Sequence, residues 1–383
     1  MRARDLGIAI GEGTPGRHNA ITDVPGVKVG HATIVRGDGP LVVGKGPVRT
    51  GVTVVVPHDR DVWTKPVFAG SHTLNGNGEL TGLEWIRETG LLGGAIAITN
   101  THSVGVVHDA LIAHAARAHA PGAPFWSLPV VGETYDGTLN DINGFHVRPE
   151  HLDEALAAAA AGPVEEGGVG GGTGMICHEF KGGIGTSSRV LSTDRGGWTV
   201  GVLVQANYGR RGLLRVDGVP VGEAIPTSEV PSPYPDREER PPAGRAGAGS
   251  IIIVVATDAP LLPVQCRRLA QRAGLGLARA GGLGATSSGD LFLCFSTGNR
   301  EIPPAEVEPP GSLVATVQTV IDYALDPLFE AVVEATEEAI VNALVAAKTM
   351  TGRDGNTAHA LPADRLVDVM GRYGRLAGKP PQA

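Results

Sequence analysis

At Gly249-Ser250 the chain changes character. The residues before it, Gly244-Arg245-Ala246-Gly247-Ala248-Gly249, are glycine-rich, and those after it, Ile251-Ile252-Ile253-Val254-Val255, form a strongly apolar β-type run. A serine hydroxyl is a weak nucleophile unless a base lies beside it. A serine that becomes a new N-terminus supplies its own base, because an α-amine has a pKa of about 7.7–8.0 and is partly neutral near pH 7. The Ser250 hydroxyl would attack the Gly249 carbonyl, shift the acyl group from N to O, and free the amine when the ester hydrolyses. Glycine before the serine helps, since it tolerates strained backbone and leaves the carbonyl unshielded. The same serine also reads as a linker residue that opens a strand. Gly70-Ser71, Gly185-Thr186 and Gly311-Ser312 lack this step from linker to buried strand. Gly172-Thr173 is the best rival, because Met175-Ile176-Cys177 follows it.

Three further places carry groups that such a centre would use. Ser288 and Asp290 stand two apart at the start of Leu291-Phe292-Leu293, so as strand residues they share a face. A hydroxyl and a carboxylate together could orient an ammonium; Ser, Gly and Asp also make ordinary turns. Asn207 ends an apolar run and offers an amide N–H to an oxyanion, or an Asn-Tyr-Gly turn. Glu133 and Tyr135, two apart after Pro129-Val130-Val131, could hold a cationic substrate group and the reacting carbonyl, or lie in a solvated loop.

Other routes to hydrolysis are not visible. His108, His114 and His119 lack the i, i+4 spacing of a helical zinc motif and no acid follows at ligand spacing, so no metal site is expected. G-x-S-x-G and the phosphate-binding G-x-x-x-x-G-K-[ST] are absent. Gly11-Glu12-Gly13-Thr14-Pro15-Gly16 fits a dinucleotide fingerprint, but a Pro-Gly turn follows where a helix must start. Cys177, Cys266 and Cys294, an odd number standing far apart without C-x-x-C spacing, argue against a disulfide framework or a zinc site. A net charge of −8 with scattered Lys and Arg makes a poor nucleic-acid ligand. No apolar run reaches membrane-spanning length and the first residues lack a signal-peptide core, so a cytoplasmic location is expected.

The elements that must position these groups can be read from periodicity and turn chemistry. With 56 glycines in 383 residues, about twice the usual share of roughly 7%, the chain must contain many tight turns and close backbone approaches. Strands are expected after the 22–26 turn and at 51–56, 94–99, 126–131, 188–192, 198–205, 250–257 and 290–295. Helices are expected at 80–88, 104–118, 149–161, 260–280 and 363–370, with a long helical stretch over 312–350 broken near Asp326-Pro327. Residues 213–221 read as a hairpin on Asp217-Gly218, and 226–249 as an exposed, mobile linker, with a disordered Gly-Lys-Pro-Pro tail. Strands in blocks and helices in blocks suggest sheets packed on sheets with helices outside.

These segments together resemble the L-aminopeptidase/D-esterase family of self-processing N-terminal-serine peptidases, which includes the β-aminopeptidases. The likeness runs through HNAITDVPGVKVGHATI, TLNGNGELTG, PVVGETYDGTLNDINGFHV, GGVGGGTGMICHEFKGGIGTSSR, VLVQANYG, the Gly-Ser step, ATSSGDLFLCFSTGN and EEAIVNALVAAKTMTGRDG. The resemblance implies an α+β fold, a four-layer αββα sandwich similar to N-terminal-nucleophile hydrolases but with different connectivity. It implies one domain over 1–383, cut into 1–249, ending in the linker, and 250–383. It puts the nucleophile at Ser250, assistance to its amine at Ser288 and Asp290, the oxyanion asparagine at Asn207, and the substrate's amino end near Glu133 and Tyr135. Family members carry Asp or Glu at the acid position, so the shorter Asp290 bears on its distance to the amine. The implied activity is release of N-terminal residues from short peptides, amides or esters, without metal or cofactor, by a homo-oligomer, often a tetramer. Acyl transfer of the ornithine-acetyltransferase type, for which a cut before Thr173 would speak, and non-catalytic small-molecule binding are the alternative readings.

Overall fold

The computed structural model describes residues 1–119, 125–234, 247–304 and 314–377. Its strands in chain order are β1 (Lys28–Arg36), β2 (Val48–Val56), β3 (Val67–Gly76), β4 (Leu91–Leu92), β5 (Ile96–Asn100), β6 (Val130–Thr134), β7 (Ile176–Cys177), β8 (Phe180–Lys181), β9 (Gly183–Val190), β10 (Thr199–Gly209), β11 (Gly247–Thr257) and β12 (Gly289–Ser296). The helices are α1 (Leu83–Thr89), α2 (Val104–Arg117), α3 (Pro149–Ala157), α4 (Val221–Ala224), α5 (Pro263–Arg279), α6 (Asp326–Ala346) and α7 (Ala363–Arg372). One sheet has the order β1-β2-β5-β6 and the other β4-β3-β12-β11-β10-β9. β5–β6 and β11–β12 run parallel; the other pairs within these sheets are antiparallel.

Strand alternation sorts the apolar side chains into three layers of core. Val52, Val54, Ala97 and Val131 pack outward against Val107, Leu111, Leu152 and Ala155 of α2 and α3. Val55, Ile96, Ile98 and Val130 face Leu203, Ile252, Val254 and Leu293 between the sheets. Ile251, Ile253, Val255, Phe292 and Cys294 turn the other way, against α5 and α6. The order helix, sheet, sheet, helix is the sandwich expected.

Several local expectations change. The long helix of 312–350 does not cross Pro327: α6 begins there, with Pro in its first turn, where the missing N–H has no helical partner to lose. Residues 314–321 before it are irregular, and 312–313 lie outside the described residues. The strand expected from Trp126 starts only at Val130, and Trp126 instead packs edge-on against Trp85. The helix expected to Ala161 stops at Ala157 because the backbone of Ala160 pairs with Val29. β9 begins at Gly183, ahead of the expected 188: Gly185 lets α6 approach so closely that a Cβ there would run into the Ala339 carbonyl. The hairpin at 213–221 shrinks to one bridge, Val216 to Val219, around Asp217 (φ 48) and Gly218 (φ 77). The first part of the expected linker is packed: Val230 is buried and Glu229 pairs with Arg365 at 2.6 Å. The last part, Gly247 to Gly249, already belongs to β11; the linker residues 235–246 and the tail from 378 lie outside the described residues.

Gly11–Gly16 forms no helix. The N–H groups of Glu12 and Gly13 instead enclose the Glu334 carboxylate, each at 2.9 Å, so the loop's anion is part of the protein itself.

Candidate active site

Ser250 lies opposite Asn207 in the antiparallel β10–β11 ladder, as Ile252 lies opposite Gln205. Directly opposed residues project on the same face with Cβ atoms about 4.5–5.5 Å apart. Ile252 and Val254 belong to the core between the sheets, so Ser250 and Asn207 point there too. Ser250 is 6% exposed, and its Oγ accepts the Gly289 N–H at 3.0 Å. Gly249 has a steric reason beyond tolerance of strain: a Cβ there would collide with the Asn207 carbonyl.

The Asn207 amide is held at both ends. Its Oδ1 accepts the Ile176 N–H at 2.8 Å, and its Nδ2 donates to the Tyr135 carbonyl at 3.0 Å. An N–H on one side and a carbonyl on the other admit only one orientation of the amide. A primary amide has two N–H donors, so one proton remains for a further acceptor.

Ser288 and Asp290 lie on the other side of the sheet. In the parallel ladder Asp290 is the partner of Ile251, and both sit at the parity of the helix-facing core. The Ser288 hydroxyl donates to Asp290 Oδ1 at 2.6 Å. Burial pushes the Asp290 carboxyl up to about 6, against the hydrogen bonds from Ser288 and the Ile251 backbone, which favour the anion. The pair therefore approaches the backbone beside Ser250, where a new amine would stand, and not its hydroxyl. Behind it a cavity of about 270 Å³ is lined by Tyr208, Leu277, Gly281 to Ser288 and Asp290.

Glu133 closes the opposite wall. Thr99 pairs with Glu133 at the C-terminal end of the parallel β5–β6 ladder, and the side chain is 3% exposed. Oε1 accepts the Glu79 N–H at 3.0 Å and Oε2 accepts the Thr101 hydroxyl. Burial raises its pKa despite these donors. Gly78 lies between Glu133 and Gly289, close to both. Asn77 secures this turn by donating its N–H to the Ser288 carbonyl at 3.2 Å and its amide to that of Ser287 at 2.8 Å. Tyr135 is half exposed, and its ring lies over Gly137.

The expected residues thus gather in two groups flanking β11. Ser250 and Asn207 line the between-sheet side and Ser288 and Asp290 the helix side, while Glu133, at the parity of Val131, reaches the turn at Gly78 beside Gly289. Sequence reasoning missed Thr101, Ile176 and the Gly289 N–H. Thr101 directly follows β5 and Glu133 lies near the end of its parallel neighbour β6, a juxtaposition that shows only once the topology is known. The backbone donors leave no signature in residue type. Thr173, the rival nucleophile, is fully buried at the C-terminal cap of the short 3₁₀ turn Gly170–Gly172, with its hydroxyl donated to the Gly170 carbonyl at 2.6 Å. His114 pairs with Asp153 at 2.7 Å on the surface of α2 and α3. Among the described residues no cluster of three His, Cys, Asp or Glu could hold a metal, and no helix is long and apolar enough to cross a membrane.

Comparison with known proteins bears on this arrangement. Residues 19–358 match the family description Peptidase family S58. The β-peptidyl aminopeptidase BapA of Sphingosinicella microcystinivorans is 51% identical over 378 residues, 98% of this chain and 93% of that protein. The β-aminopeptidase of a Burkholderia species is 55% identical with a TM-score of 0.89, covering 99% of this chain and 100% of that one. The L-aminopeptidase D-Ala-esterase/amidase of Ochrobactrum anthropi, described as a prototype serine aminopeptidase and a variant of the Ntn-hydrolase fold, is 44% identical. Its TM-score is 0.86, over 98% of this chain and 99% of that one.

Proposed function

The chain belongs to peptidase family S58, and from that premise we propose that Ser250 is both the site of self-cleavage and the nucleophile of a serine aminopeptidase. The enzyme is a hydrolase of the aminopeptidase class, acting on amide and ester bonds. In this reading the Ser250 hydroxyl attacks the Gly249 carbonyl, the acyl group moves to oxygen, and water releases Met1–Gly249 from Ser250–Ala383. Both pieces remain in one domain. The new α-amine then takes the proton from its own hydroxyl as that hydroxyl attacks a substrate carbonyl.

Each neighbouring group has a role that its geometry suits. The free Asn207 Nδ2–H stabilises the oxyanion, and the Gly289 N–H holds the attacking Ser250 oxygen. Asp290 and Ser288 hold the α-ammonium between its proton transfers, first to the leaving amine and later back from water. Glu133 binds the substrate's amino group, where a cation offsets the cost of keeping that carboxylate buried. Tyr135 lines the same mouth. Substrates are short peptides, amino-acid amides or esters with a free amino end. The cytoplasmic, homo-oligomeric form belongs to the same proposal, supported in its second part by the exposure of Ile321 and Tyr323 (68% and 94%).

The observation that carries the reading is that one β-ladder register sets Ser250 against Asn207 while its neighbour sets Asp290 beside the Ser250 backbone. A denaturing gel and intact mass test it: wild type gives Met1–Gly249 and Ser250–Ala383, and Ser250→Ala stays one inactive chain. A fully active wild type that is never cut would overturn it.

A further inference from the structure

Lys181 is fully buried on β8 and makes no ion pair among the described residues. Its ammonium is held instead by three backbone carbonyls, those of Gly182 at 2.7 Å, Met175 at 3.0 Å and Gly172 at 3.2 Å. A buried charge without a counter-ion is costly, and a methionine of similar length would fill the space without that cost. Burial accordingly pushes the Lys181 pKa down to about 7.

The Met175 carbonyl that Lys181 holds belongs to the same peptide unit as the Ile176 N–H, and that N–H is the donor to Asn207 Oδ1 at 2.8 Å. The donors and acceptors therefore run in one direction: ammonium to Met175 carbonyl, Ile176 N–H to Asn207 Oδ1, Asn207 Nδ2–H toward the cleft. Hydrogen bonds in such a series polarise one another in a low-dielectric interior. We infer that Lys181 is a positioning residue for the hydrolytic reaction, orienting and polarising the Asn207 amide through the Met175–Ile176 peptide. The inference rests on the oxyanion role proposed for Asn207.

The charge does two things at once. With the Gly182 N–H, which the same Met175 carbonyl accepts at 2.9 Å, it fixes the peptide plane whose N–H locks the Asn207 orientation, and it makes that N–H, and hence the Asn207 N–H, a stronger donor. The benefit appears only when negative charge develops on the substrate carbonyl, so it belongs to kcat and not to ground-state binding. If Lys181 were only a clamp on the 172–182 loop, any neutral donor of adequate length would serve.

The test compares Lys181→Met and Lys181→Gln in the processed enzyme. Both are expected to lower kcat about tenfold, a fraction of the effect of deleting an oxyanion donor, with KM within about twofold. In an Asn207→Ala background the loss should vanish. Unchanged kcat in Lys181→Met, a raised KM at constant kcat, full activity in Lys181→Gln, or a loss that persists beside Asn207→Ala would each overturn the inference. If Asn207→Ala alone leaves kcat unchanged, the oxyanion assignment itself fails, and that result is separate.

Should the Lys181 variants not fold, the unaltered lysine can be titrated by NMR in an Asp136→Asn protein. That change removes the neighbouring carboxyl which burial raises to about 7. Cys177, pushed up to about 12, and His178, pushed down to about 4, stay neutral in this window. Glu179, in the turn between β7 and β8, accepts the Arg211 backbone N–H at 3.1 Å, and the Arg211 guanidinium donates to the carbonyls of His178 and Glu179. The Ile176 N–H and Asn207 amide protons are expected to shift with the midpoint of the Lys181 Nζ signal. Amide signals that stay fixed while Lys181 loses its proton would sink the idea.

Discussion

The two sides of β11 at Ser250 are built to different tolerances. Around the Ser250 side chain the proposed reacting groups are each held by fixed donors or acceptors: Glu133 by Thr101 and the Glu79 N–H, Asn207 by Ile176 and Tyr135, the Ser250 hydroxyl by Gly289. On the helix side the Ser288–Asp290 pair borders a cavity of about 270 Å³ and has a carboxyl poised near 6. The difference follows from what each side does in the proposed reaction. Charge that develops on a carbonyl oxygen is stabilised only by donors already in place, because reorganising them would cost what they supply. A proton that must be taken up and returned is served by a group whose pKa lies near the working pH.

The gripped side should therefore be the less forgiving. Asn207→Ala is expected to lower kcat of processed enzyme about 10²–10³-fold, as loss of one oxyanion donor does. Steady-state kinetics on protein already cut at Gly249–Ser250 checks this; a change in KM alone would break the comparison. Next comes Glu133→Gln. A charge-assisted hydrogen bond contributes about 1.5–3 kcal/mol, so kcat/KM for substrates with a free amino group should fall about 10–100-fold. N-acetylated analogues should show no further loss. Because burial raises the Glu133 pKa, acid should weaken substrate binding by protonating the carboxylate, and Glu133→Gln should remove that dependence.

The helix side should show itself in pH rather than in geometry. The Asp290 pKa is raised above its ordinary value, so the group is anionic above about 6 and neutral below it. Turnover of the processed enzyme should then lose a further factor of about ten per unit as pH falls below about 6, because the anion that holds the α-ammonium is neutralised. Steady-state pH profiles of protein already cut at Gly249–Ser250 would measure that limb, and Asp290→Asn should remove it. A limb that survives in Asp290→Asn would assign the titration elsewhere.

How legible this division was in the sequence depends on which interaction carries it. The apolar runs at 51–56 and 250–257 announced buried strands, and the glycine-to-isoleucine step pointed to Ser250, because β-branched density and linker composition are local properties. The placement of Ser288 and Asp290 on one face also followed from a period of two. That this face is opposite to the Ser250 side chain did not, since it depends on the register of Ile251 against Asp290 across a parallel pair. β9 starts earlier than its composition suggests for a similar reason. Gly183 and Gly185 look like strand breakers, yet Gly185 is there because α6 comes close to the backbone. Pro327 has the look of a break inside a helix, yet it lies in the first turn of one. Thr101 and the Gly289 N–H were invisible because a hydroxyl after a strand and a backbone amide carry no pattern of their own.

The smallest expected effect is the one that tests the difference in tolerance most directly. Adding one methylene to a well-packed site typically costs about 1–3 kcal/mol, because neighbours must move off their rotamers. Asp290→Glu adds that methylene next to the cavity formed by Tyr208 and Gly281 to Ser288, where the longer side chain can bend into free space and still reach the Ser288 hydroxyl. Self-cleavage and turnover should stay within about threefold of wild type, with the melting temperature nearly unchanged, less than that overpacking penalty would cause. The matched change on the gripped side, Glu133→Asp, withdraws the carboxylate from Thr101 and the Glu79 N–H together and should lose most of what Glu133→Gln loses. Equal losses for Asp290→Glu and Glu133→Asp would mean that both sides are equally rigid, and the cavity behind Asp290 would then have no part in how the acid is positioned.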